Sequence, residues 1–217
     1  MAVLADELTG WQAGSARFRA FAELHHAKIR KKLRTAADPE AILDVRVELE
    51  AACLLLADPR IELAFEAYGS GKRGPDLTVS YRTRPAFNLE VTRLRRIPAA
   101  TDFEAPLLAK LRQLPPSLPN ALLVALGGES AAALDVAGAA RGLRSRADAK
   151  EAGLFEREGF RGPRDFYDRY LRLGGVITWC EGSPGAARTE LWINRSARIP
   201  LPERALRATI RCLETGQ

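Results

Sequence analysis

The sequence predicts an α/β fold in a single domain spanning residues 1–217, and three features carry that expectation. From Gly74 to Arg93 polar and apolar residues alternate through two runs, the signature of two half-buried strands. Asn120 to Leu126 is a nearly continuous apolar run, as expected of a central strand covered on both faces. Asp38-Pro39-Glu40 supplies a capping side chain, a proline at the first helical position and an acid in the first turn, which together start a helix. With 217 residues, 47% of them hydrophobic, the chain can bury one sizeable core, and no repeat, low-complexity tract or linker divides it.

Taken in order, a helix beginning near Gly14 ends in the basic run Lys28-Ile29-Arg30-Lys31-Lys32-Leu33-Arg34. Cations at a helix C-terminus are favoured by the macrodipole, and such a run is also a candidate for holding phosphates. His25 and His26, the only histidines, diverge by ~100° on a helix and cannot converge on one metal, so they are expected as surface or cap residues. The helix opened at Asp38 should stop before Asp58-Pro59, with Val45, Leu49, Ala52, Cys53 and Leu56 as its apolar stripe and Glu48 and Glu50 beside it. Arg60 to Tyr68 alternates as a first strand. The loop Gly69-Ser70-Gly71-Lys72-Arg73-Gly74 is no phosphate loop, since Glu66 and Arg73 stand where glycine and Ser or Thr are needed. Its glycines instead let the chain turn before Asp76.

In the two alternating runs, Leu77, Val79, Tyr81 and then Phe87, Leu89, Val91 form an apolar face, while Asp76, Thr78, Ser80 and then Asn88, Glu90, Thr92 form a polar one. Pro85 confines residues 82–85 to a turn or strand start. Further on, Asp102 caps a helix ended by Pro115-Pro116, and Ser130 opens an alanine-rich helix reaching Arg146 with Arg141 and Arg144 on it. Phe155, Phe160, Phe166 and Tyr167 recur at helical spacing and are expected in the core. Val176 to Glu181 and Arg188 to Asn194 suggest a second hairpin across Ser183-Pro184-Gly185, carrying Trp179 and Trp192, before a last helix from Pro202 to Glu214.

A hairpin folded symmetrically about Thr83 places Asp76 directly opposite Glu90. Directly opposed residues have Cβ atoms ~4.5–5.5 Å apart, where like charges repel. Two carboxylates so placed must share a proton, take a raised pKa or bind a cation. Thr78, Asn88 and Thr92 beside them offer hard oxygen atoms, which suit Mg²⁺ or Mn²⁺ better than zinc.

Pro75-Asp76, thirteen residues, then Glu90-Val91-Thr92 resembles the signature of the PD-(D/E)xK nuclease superfamily. The resemblance implies a restriction-endonuclease-like core over residues 38–127, in which a helix precedes a central mixed sheet flanked by helices. A basic N-terminal helical segment, 1–37, and a helical and hairpin extension, 128–217, with an extra C-terminal hairpin and helix, would adjoin it. It also implies a divalent metal held by Asp76 and Glu90, with an acid from the preceding helix, for which Glu48 is the better match. The superfamily's lysine falls at Thr92, which carries no charge. Arg93 is no replacement, because the next residue on a strand points to the opposite face and a guanidinium does not deprotonate. Three alternatives stay open: Lys72 or Lys110 reaches in, the metal alone activates water, or the site binds and cleaves nothing.

The expected function is therefore that of a metal-dependent phosphodiesterase acting on DNA or RNA, with Mg²⁺ or Mn²⁺ and with Glu48, Asp76, Glu90 and Thr92 as its catalytic set. Lys28, Lys31, Lys32, Arg93, Arg95 and Arg96 would hold the nucleic-acid backbone without reading its sequence. The alternatives are an inactive nuclease-like nucleic-acid-binding module and a subunit whose basic face meets an acidic protein. A net charge of +6 and a pI near 9.5 point to an anionic partner. Cys53, Cys180 and Cys212 show no CxxC spacing, so neither a zinc cluster nor a disulfide framework is indicated. Without further histidines the chain cannot build a Ser-His-Asp or Cys-His site. No apolar run approaches the ~20 residues of a membrane span and no signal-peptide pattern opens the chain, so a cytoplasmic protein is expected.

Overall fold

The structure, a computed structural model, describes residues 2–68, 74–94, 103–127, 134–181 and 189–215. Six strands, β1 (Ile61–Phe65), β2 (Leu77–Tyr81), β3 (Arg84–Leu94), β4 (Asn120–Gly127), β5 (Leu173–Glu181) and β6 (Thr189–Ile193), form one open sheet in chain order. The first three are antiparallel neighbours, β4 and β5 run parallel to β3, and β6 returns antiparallel on β5. Parallel neighbours need a crossover. Helix α5 (Glu104–Leu111) lies between β3 and β4 in the chain, and α6 (Val136–Asp148), α7 (Ala152–Arg157) and α8 (Pro163–Tyr170) lie between β4 and β5. Four helices precede the sheet, α1 (Ala2–Gly14), α2 (Ala16–Leu24), α3 (His26–Thr35) and α4 (Pro39–Leu55), and α9 (Glu203–Thr215) follows it. The result is the expected α/β architecture, a mixed sheet flanked by helices.

Each face of the sheet carries its own core. On one, Phe18, Phe21, Val45, Leu49, Leu55 and Leu213 of α2, α4 and α9 pack on Leu77, Val79, Phe87, Leu89 and Val91. On the other, Leu107, Leu108, Leu143, Phe155 and Phe166 of α5 to α8 pack on Leu122, Val124, Leu126 and Val176. Strand β4 therefore contributes to both, which is why its sequence is apolar throughout. Phe155, Phe160 and Phe166 pack as expected, the first and last with ring centroids 4.8 Å apart. Cys53, Cys180 and Cys212 are free thiols. Among the described residues no helix is long and apolar enough to cross a membrane.

The register of the first hairpin follows the alternation, with Leu77 opposite Leu89, Thr78 opposite Asn88 and Val79 opposite Phe87. One irregularity between Val79 and Ser80 then shifts the pairing, so that Tyr81 faces Arg84 and the chain turns through Arg82 and Thr83 alone. Pro85, which has no N–H to give to the ladder, sits at that slip. Both turn residues take left-handed backbone, with φ of 52° and 66°.

Three expectations need correction. The single N-terminal helix is broken: Ser15 caps α2 by accepting from Phe18 N at 3.1 Å, and His25 ends α2 and begins α3. Helix α1 falls within the expected N-terminal helical segment, 1–37, although the helix itself was expected to begin only near Gly14. The C-terminal hairpin is no appendage, because β5 pairs directly with β4 and continues the central sheet. The alanine-rich helix expected from Ser130 begins instead at Val136, where Asp135 caps it by accepting from Gly138 N at 2.6 Å; Asp102 and the Ser183-Pro184-Gly185 turn lie outside the described residues.

Candidate active site

Helix α4 crosses beneath the sheet with most of its middle turns buried, and that burial carries Glu48 inward with Val47 and Leu49 on either side. Helix α3 brings Lys28 and Lys32, one turn apart, against the end of β1. Lys28 donates to the carbonyls of Phe65 at 2.7 Å and Glu66 at 3.0 Å, which fixes the helix to the strand. The Lys32 ammonium donates to Glu48 and, at 2.8 Å, to Asp76 Oδ1, with Glu66 Oε1 at 3.8 Å. Glu66 takes left-handed backbone (φ 45°) and gives its N–H to the Asp76 carbonyl at 2.8 Å.

Asp76 lies one residue before β2. Its Oδ2 accepts the Val91 N–H at 2.9 Å, so the carboxylate closes the end of the β2–β3 ladder between the Val91 backbone and Lys32. Glu90, 2% exposed, stands on β3 level with Leu122 and faces α5. There Lys110 donates to Glu90 Oε1 at 2.6 Å and to the Val91 carbonyl at 3.2 Å. Glu90 Oε2 is buried and has no hydrogen-bond partner among the described residues. Among the described residues, Glu48, Asp76 and Glu90 thus gather around the ammonium groups of Lys32 and Lys110, brought together by α3, α4, β3, α5 and the residue before β2, with Glu66 at the margin.

The electrostatics follow from that arrangement. Burial, and then the charge of Asp76, push Glu90 up to about 7 against the pull of Lys110. The same two causes raise Glu48 well above the carboxylate range, against Lys32. Burial opposes the charged forms of Lys32 and Lys110, yet the surrounding carboxylates outweigh it and hold both above the ordinary lysine value. Glu48, Asp76 and Glu90 outnumber the ammonium groups of Lys32 and Lys110, and Glu90 is the one that keeps a carboxylate oxygen without a partner among the described residues. Among the described residues no group of three or more His, Cys, Asp or Glu side chains lies close enough to hold a metal ion.

The other sequence candidates are placed as follows. Thr92 is half-buried on β3, two residues beyond Glu90 and therefore on its face. Thr78 and Asn88, expected beside the acids, are joined to one another at 3.0 Å, and Asn88 Nδ2 continues to Asn120 at 3.1 Å. Arg93 points to the opposite face and pins α4 to β3 through Glu40 at 2.5 Å and Asp44 at 3.2 Å. Lys28, Lys32 and Arg93, expected on phosphates, are thus engaged within the protein, while Lys31 is exposed. Arg95, Arg96 and Lys72 lie outside the described residues. Lys110 is the lysine that enters the cluster from α5. Lys32 and Glu66 are members the sequence did not single out as such. Comparison of the chain with family models, curated proteins and solved structures finds no match.

Proposed function

We propose that the protein is a magnesium- or manganese-dependent phosphodiesterase of the PD-(D/E)xK kind, acting on DNA or RNA and built on a restriction-endonuclease-like core. The observation that carries this reading is the unsatisfied Glu90 Oε2, buried beside Asp76 in a cluster where Glu48, Asp76 and Glu90 outnumber Lys32 and Lys110. An unpaired buried carboxylate oxygen is costly and calls for a proton or a cation. The donors are hard oxygens, and Mg²⁺ is commonly held by one or two carboxylates with water and substrate phosphate supplying the rest. A site of two protein ligands, Asp76 and Glu90, therefore fits such an ion. Asp76 retains lone pairs beyond its two hydrogen bonds.

The ion would supply a Lewis acid that neutralises phosphate charge and acidifies water. Lys110 takes the part that Thr92 cannot: its ammonium, seated on Glu90, steadies negative charge developing on the phosphate. Glu48 orients the attacking water, and Lys32 keeps Glu48 and Asp76 ordered until substrate arrives. Thr92 contributes a hydroxyl hydrogen bond at most. Free cysteines are in keeping with a reducing, cytoplasmic setting. The test is cleavage of plasmid, single-stranded DNA and RNA with Mg²⁺ or Mn²⁺. Asp76→Ala and Glu90→Ala should each lose activity by about 100-fold or more, and Lys110→Ala by about 10–1,000-fold. Full activity in both acid variants would remove the assignment.

One observation favours a second reading, a nuclease-like module that binds without cutting. The Lys32 ammonium already bridges Glu48 and Asp76, and Lys110 sits on Glu90, so each of these three acids has an internal counter-ion. That reading expects salt-dependent binding, no metal-dependent cleavage and binding retained in Glu90→Ala.

A further inference from the structure

Away from the acids, β6 and α6 enclose a groove of about 510 Å³ on the sheet face that α5 to α8 cover. Its floor includes Ala137 and Ala140 of α6 and the half-buried indole of Trp192, and its walls carry Arg141, Arg144 and Arg195. All three arginines are exposed. Arg141 and Arg144 are three residues apart on one helix, where like charges repel. Among the described residues the nearest carboxylate to Arg141 is Asp135 at 3.9 Å, and neither Arg144 nor Arg195 has an ion pair. Guanidinium groups so arranged lower their repulsion when an anion enters between them.

The turn that presents Arg195 is held in place beforehand. Asn194, 4% exposed, donates to the carbonyls of Tyr170 at 3.1 Å and Leu173 at 2.8 Å, and its Oδ1 accepts from Ser196 N at 3.0 Å. Arg195 therefore projects from a rigid turn beside a flat aromatic surface. A planar ring over small apolar residues, flanked by fixed cations, matches an unpaired base with phosphates on either side. An acidic peptide paired to the open edge of β6 fits less well, because ladder bonds lie in the plane of the sheet and the α6 arginines stand above it. The strand register also places Trp192 in one transverse row with Val176, Leu122 and Glu90. Three strand spacings are ~14 Å, about four stacked nucleotides.

We propose that this groove is a single-strand nucleic-acid subsite, in which Trp192 stacks an unpaired base and Arg141, Arg144 and Arg195 hold the adjoining phosphates. It rests on the proposed function only for nucleic acid being the substrate; the acids take no part in it. The experiment uses the full chain in EDTA, so that nothing is cut, and a fluorescein-labelled oligothymidylate of about a dozen nucleotides. Binding is read by anisotropy over a range of salt, with duplex DNA of the same length and polyglutamate as competitors. The expected result is tighter binding of single strand than of duplex. Trp192→Leu should weaken it by at least about fivefold while Trp192→Phe retains it, since only stacking explains that difference. Arg141→Gln, Arg144→Gln and Arg195→Gln combined should flatten the log-log salt slope by about 2, three phosphate contacts at ~0.7 each. All these side chains are exposed or half-buried, and circular dichroism verifies that the variants fold. Wild-type binding that these variants leave unchanged, or that polyglutamate displaces as well as oligonucleotide does, overturns the subsite and leaves the catalytic proposal standing. No binding of any nucleic acid by the wild type, even at low salt, overturns both.

Discussion

Lys32 keeps about a quarter of its side chain exposed yet sits between Glu48 and Asp76, and its loss would leave two mostly buried carboxylates without a counter-charge. Breaking such a pair costs ~3–5 kcal/mol when fully buried. Lys32→Met should therefore lower the melting temperature by roughly 6–12 °C, taking ~3 kcal/mol at 2–4 °C each, and millimolar Mg²⁺ should return part of it. Differential scanning fluorimetry with and without Mg²⁺ checks this; no loss, or loss without rescue, contradicts an anionic centre that accepts a cation. Glu90 gives the complementary prediction. Its folded pKa of about 7 lies above the unfolded value near 4.5, so the native state binds the extra proton. That stability is fully present below about pH 4.5 and is lost as pH rises through about 7. Glu90→Gln should flatten this slope and melt higher than wild type at pH 8, while abolishing cleavage. At this scale the sequence told only part. Lys110 was legible as a candidate because it follows the motif on a helix, whereas a basic run does not say which of its lysines faces inward. Glu66 read as one more alternating strand residue, and its left-handed backbone, which ends β1, left no trace in composition.

At the scale of elements, alternation was enough to set the β2–β3 register, because a slip of one residue would turn every apolar side chain of the hairpin to the wrong face. The turn was not legible. Arg82 and Thr83 occupy left-handed positions that Asn-Gly fills most cheaply, and a β-branched residue there is costly. Replacing Arg82-Thr83 by Asn-Gly should raise stability by ~1 kcal/mol, or about 2–4 °C, measured by thermal unfolding. A decrease would mean that the arginine or threonine makes contacts outweighing the strain. The helix opened by Asp38-Pro39-Glu40 was equally plain, with Asp38 accepting from Ala41 N at 2.7 Å. The break at His25 was not, since no glycine or proline marks it. It is fixed by tertiary packing, with the His25 ring against Phe21 at 4.8 Å and Phe65 at 6.1 Å.

For the whole molecule, the order β1 to β6 follows the chain, so each strand is laid beside its predecessor and the mixed sheet grows from one hairpin to another. The apolar β4 run made its central place legible, but β5 beginning at Leu173 was not, because Gly174 and Gly175 interrupt the pattern. Those glycines admit close neighbours: a Cβ at Gly175 would lie 2.7 Å from the Trp192 carbonyl of β6. The cluster of Glu48, Asp76, Glu90, Lys32 and Lys110 draws on α4, the approach to β2, β3, α3 and α5, and it is this assembly that the sequence could suggest only in part. The most direct measurement is anomalous diffraction from crystals soaked in MnCl₂. A manganese peak within about 2.2 Å of Glu90 Oε2 and of an Asp76 oxygen, absent in Glu90→Ala crystals, is the predicted result. Crystals showing no peak there, with Lys32 and Lys110 still seated on the acids, would contradict it.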